Sequence, residues 1–209
     1  MKALKTFWQA IGDLYEELML FAGASVLWWL GTLLVIPGPP VTAGLHALAH
    51  RVAHEQRVEF SFFWQETRKR FAKSWQLAAV NLLALIAVVV NLLFYWNMQN
   101  FLRYAALVWV YLFLMWLAAQ LCLFPLLFEM EEPRLWWLLR NALLLPLLRP
   151  GYALLLLILL LAATVLSVVL PFLLIMAWPA LVALVGARAT VTMVEEVTAR
   201  QAQSPPQEP

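Results

Sequence analysis

Between positions 151 and 186 the chain runs 36 residues without one charged side chain. A straight helix of that length would reach about 54 Å, nearly twice the roughly 30 Å of hydrocarbon in a bilayer. In water the stretch would have no polar face to turn outward. Two helices joined near Leu170-Pro171 resolve the length, because proline lacks an amide proton and clashes with the turn before it. The second continues past Arg188 to about Met193.

The same signal recurs through the 209 residues. Residues 18–36 are uncharged and end in Pro37, Gly38, Pro39 and Pro40; residues 74–96 and 104–128 are uncharged as well. The chain is 64% hydrophobic and 12% charged, with mean hydropathy +0.80. A soluble domain carries about 25% charged residues, so too little polar surface is left here to cover a core in water. The expected fold is all-α and polytopic: one domain over 1–200, about five transmembrane helices (18–36, 74–96, 104–128, 152–170 and 172–193) and a disordered tail, 201–209. Two or three amphipathic helices are expected to lie in the interface, formed by the first 17 residues, by 43–57 and by 134–149, the last anchored by Trp136 and Trp137.

Lysine and arginine set orientation. With the N-terminus outside and the C-terminus cytoplasmic, 11 of the 14 fall inside, leaving Lys2, Lys5 and Arg103 outside. No cleaved signal peptide is expected, because Asp13, Glu16 and Glu17 precede the first apolar run. The net charge of +2 gives no reason to expect a nucleic-acid partner, and the lone Cys122 can form no internal disulfide or cysteine metal pair.

Three groups of polar residues stand out. His46, His50 and His54 lie four apart, so on a helix they share one side. Imidazoles at this spacing suit zinc or copper. Arg51, however, stands where a zinc-protease helix carries glutamate, and Glu55 points to another face. The reading adopted is the polar edge of an interfacial helix, with no metal or other cofactor. Arg68, Lys69, Arg70 and Lys73 form a basic face for anionic lipid or a partner, at roughly 1 kcal/mol per cation. Asn81, Asn91 and Gln120 fall within apolar runs. Asn81 and Gln120 lie about 10.5 and 12 Å from the cytoplasmic ends of their spans, so an interhelical hydrogen bond between them is predicted. Glu129, Glu131 and Glu132 before Pro133 read as the start of a helix.

The segments IPGPPVTAGLHALAHR, FSFFWQETRKRFAKSW and LLRNALLLPLLRPGYALLLL, in this order around the spans, resemble the YesL-like family of small bacterial integral membrane proteins. The similarity covers nearly the whole chain. It implies a cell-membrane protein with a non-enzymatic accessory role beside carbohydrate-uptake ABC transporters, and it supplies no catalytic residue. His46 stands where such proteins often carry tyrosine or phenylalanine. The expected partners are the lipid bilayer and a transporter subunit. The alternatives are a small permease or channel lined by Asn81, Asn91 and Gln120, and a metal-binding membrane protein using the histidines.

Overall fold

The computed structural model describes residues 2–99, 101–130 and 134–203, with side chains as far as 199. Nearly all of these residues are helical, and no strand occurs among them. The helices are α1 (Lys2–Glu16), α2 (Leu18–Leu33), α3 (Gly38–Ala53), α4 (Phe60–Lys69), α5 (Phe71–Trp96), α6 (Ala106–Leu123), α7 (Leu126–Glu129), α8 (Leu135–Leu148), α9 (Pro150–Val169), α10 (Pro171–Met176) and α11 (Trp178–Gln203), with a 3-10 turn over Phe101–Ala105. Three stretches are long and apolar enough to cross a membrane: Phe71–Trp96, Phe101–Leu123 and Pro150–Val169.

The first uncharged run gives a helix of 16 residues, about 24 Å long and short of the hydrocarbon thickness. The chain leaves α2 through a γ-turn at Val35, whose φ is 63° and whose flanking groups close an Ile36 N–H to Leu34 O bond of 2.7 Å. A β-branched residue in the left-handed region is strained. The turn is held by the Gly38 amide donating to Val35 O at 3.1 Å and by the Trp75 indole donating to Ile36 O at 3.0 Å. Pro39 and Pro40 then fit the first turn of α3, where no amide donor is missed.

α3 does not lie on a wet surface as the sequence reading expects. It is packed against α2, α4, α5 and α11, and most of its residues are buried. The reason is its run of small side chains, Ala43, Gly44, Ala47, Ala49 and Ala53, which lets neighbouring helices approach closely. A Cβ on Gly44 would collide with the Thr67 hydroxyl and lie 2.9 Å from Phe63 O. α11 is the second central helix, buried almost all round from Pro179 to Thr190, and it packs on α1, α2, α3 and α6. α9 stops one residue before Leu170, and α10 begins at Pro171. α8 is a 14-residue helix packed along α6, with Trp136 and Trp137 exposed. α11 extends helix through Gln203, into the expected disordered tail; positions 204–209 lie outside the described residues.

Ion pairs bring the N-terminal helix and the C-terminal helix together. Lys2 Nζ lies 2.6 Å from Glu196 Oε1, and Arg149 Nη1 lies 2.6 Å from Glu196 Oε2. The Arg188 guanidinium makes two 2.7 Å hydrogen bonds to the Asp13 carboxylate, joining α11 to α1.

Candidate functional site

The histidines divide. His46 is 8% exposed, its ring stacked on Phe124 at 5.3 Å and its Nδ1 buried without a partner. His50 and His54 turn instead toward Glu129 at the end of α7. His54 Nε2 lies 2.8 Å from Glu129 Oε1 and shares a hydrogen bond with it. His50 Nε2 lies 3.1 Å from the same oxygen. The two imidazole rings are 4.5 Å apart between centroids. These two nitrogens and one carboxylate oxygen all fall within 4.8 Å of one another.

The backbone explains the arrangement. One helical turn separates positions 50 and 54, which puts both rings on one side of α3. His54 caps the helix, and Glu55 at φ 56° turns the chain away. Glu129 is placed by Pro125, which starts α7, and by the Arg70 guanidinium, which donates to Leu127 O at 3.1 Å and lies over the Phe128 ring. Hydrogen bonding from His50, followed by that from His54, pulls the Glu129 carboxyl below its ordinary range, against the opposing effect of burial. Glu129 therefore belongs to the histidines and not to the start of α8. Glu131, Glu132 and Pro133 lie outside the described residues.

His46 carries its own consequence. Burial pushes its pKa from 6.5 down to about 3, so the folded chain holds it neutral while the unfolded chain protonates it. Its contribution is fully present above about pH 6.5 and is lost as pH falls toward 3. Below about pH 6 the wild-type chain should lose stability by about 1.4 kcal/mol per pH unit more than His46→Leu does. Unfolding of the two proteins in detergent across that range measures the difference.

The basic face expected at 68–73 is split. Arg68 and Lys69 are exposed, whereas Arg70 is turned inward to Glu66 at 2.8 Å and to the α7 carbonyl. Lys73 is half-buried on α5. Asn81 and Gln120 do meet. Asn81 Nδ2 donates to Gln120 Oε1 at 3.0 Å, Gln120 Nε2 donates to Asn81 Oδ1 at 3.0 Å, and the Trp116 indole donates to the same Oδ1 at 2.9 Å. Asn91 stands apart and donates to Ala87 O in its own helix, so the three amides do not line a common passage. Asn81→Leu strands Gln120 Oε1 and the Trp116 indole, while Gln120 Nε2 keeps its 3.1 Å bond to Trp116 O, and should cost about 1–2 kcal/mol. The double variant Asn81→Leu, Gln120→Leu should recover part of that loss in the same unfolding assay.

Comparison with known proteins returns no match to a family model, a curated protein or a solved structure.

Proposed function

We propose that the chain is a multi-pass bacterial cell-membrane protein with both termini cytoplasmic. In this reading it serves as a non-enzymatic accessory component of a carbohydrate uptake system, acting through helix contacts inside the bilayer. The observation that carries the membrane reading is the surface of α5. Leu82, Leu83, Ile86, Val90, Leu93 and Phe94 are all exposed along a helix accompanied over this length mainly by α6. At about 25 cal/mol per Å² of apolar surface, such a face is far more favourable against lipid or partner helices than against water.

The crossings in this reading are α5, α6, α9 and α11, in place of the five expected. Lys2 and Arg149 both reaching Glu196 supports an even number. α2 and α3 are then not counted as crossings, and the exposed apolar turn between them, Leu33 to Ile36, is held at Trp75 near the cytoplasmic start of α5. In this reading the lysines and arginines with described side chains fall toward the cytoplasmic end, except Arg103 at the far turn and Arg188 against Asp13. This is a stronger positive-inside bias than the arrangement with the N-terminus outside.

The accessory role rests on the likeness of IPGPPVTAGLHALAHR and FSFFWQETRKRFAKSW to the YesL-like family. A photo-crosslinking residue at Ile86 or Val90, in cells growing on a transported sugar, tests it. The expected adduct is a membrane-spanning subunit of an ABC-type sugar transporter. Adducts to lipid alone would remove the accessory role and leave the membrane reading intact.

A further inference from the structure

We propose that His50, His54 and Glu129 form a binding site for a divalent transition-metal ion of the zinc class, with open coordination positions left for water. Neutral imidazole nitrogens and a carboxylate are the ligand set such ions prefer, and three protein ligands with an open position is a recurrent zinc arrangement. The inference is independent of the accessory role. It uses only the junction of α3 with α7.

Geometry favours it. The Glu129 oxygen lies 2.8 and 3.1 Å from the two imidazole nitrogens. A tetrahedral ion with bonds of about 2.0–2.1 Å separates its ligand atoms by roughly 3.3 Å, so the two oxygen–nitrogen distances open by a few tenths of an ångström while the two imidazole nitrogens, within 4.8 Å of each other, turn toward the ion. The ligands come from two elements fixed in place, α3 by its burial and α7 by Arg70, which limits the ordering cost of binding.

Two observations point to a ligand beyond the three side chains themselves. His50 Nε2 and His54 Nε2 converge on the one Glu129 oxygen at 3.1 and 2.8 Å, so a single acceptor atom is shared between two imidazoles. The imidazoles also sit at the C-terminal end of α3, where the helix dipole favours positive charge. Access comes from the His54 side, which is about one-third exposed (35%). The sequence hides this site because Glu129 is 75 positions from His54.

The test uses the full chain in detergent micelles, stripped with a chelator and titrated with Co²⁺ and then with Zn²⁺. One Co²⁺ per chain should bind, with a visible absorption band that Zn²⁺ displaces. His54→Ala and Glu129→Gln should each weaken binding by more than the roughly 10–100-fold typical of losing an outer-shell partner. Glu55→Gln, next in sequence but pointing away, should bind as the wild type does. Zn²⁺ should also raise the unfolding temperature of the wild type and not of His54→Ala. If Glu129→Gln fails to fold, His54→Ala decides the matter, because its side chain lies at the edge of the packed core. Absence of stoichiometric Co²⁺ binding, or binding unchanged in His54→Ala, would overturn the site.

Discussion

Asp13→Ala should destabilise the folded chain by about 3 kcal/mol, measured by unfolding in mixed micelles. The Arg188 guanidinium grips this carboxylate through two 2.7 Å bonds, and the two side chains are only 19% and 12% exposed. Removing the carboxylate leaves a cation inside a helical body with nothing to neutralise it. That penalty outweighs the modest worth of the pair itself. The double replacement Asp13→Leu with Arg188→Met should therefore recover most of the loss, since no charge remains to be solvated. Equal destabilisation of the single and double variants would show that shape, and not charge, holds α1 to α11.

Gly186→Val should destabilise the folded chain by about 2–3 kcal/mol. A Cβ at 186 would stand 2.7 Å from Leu121 O, and that backbone carbonyl belongs to α6 and cannot rotate aside. Replacing glycine within a helix ordinarily gains up to about 1 kcal/mol in propensity, so the clash must exceed that before a loss is seen. Gly12 supplies the contrast. Nothing lies within 4 Å of its missing Cβ, and Gly12→Ala should stabilise the chain by about 0.5–1 kcal/mol. Thermal unfolding of the two variants beside the wild type separates close helix approach from propensity. A neutral Gly186→Val would mean that α6 and α11 are free to move apart.

Local chemistry made part of the molecule readable in advance. The uncharged runs announce helices, Leu170-Pro171 breaks the longest of them, and the matched depths of Asn81 and Gln120 foretell their contact. What escaped depends on partners distant along the chain. α3 reads as interfacial because its polar residues are counted and its small ones are not. Gly44 and the alanines around it are the signal of burial, and Gly44 seats α3 against α4. His46 then lies inside, while His50 and His54 await Glu129 from another helix. Arg188 has no partner nearby in sequence, and only the fold brings Asp13, 175 positions away, against it. Lys2 likewise finds Glu196 only through the packing of α1 on α11.

The central claim is that the outer face of α5 lives among lipid chains. Spin labels placed singly at Leu82, Ile86, Val90 and Phe94 of the protein in liposomes test it directly, by the relaxing effects of oxygen and of a water-soluble nickel complex. Oxygen should reach all four positions readily, with nickel excluded most strongly at Ile86 and Val90. Nickel reaching Ile86 or Val90 more readily than oxygen does would place this helix in water and contradict the account.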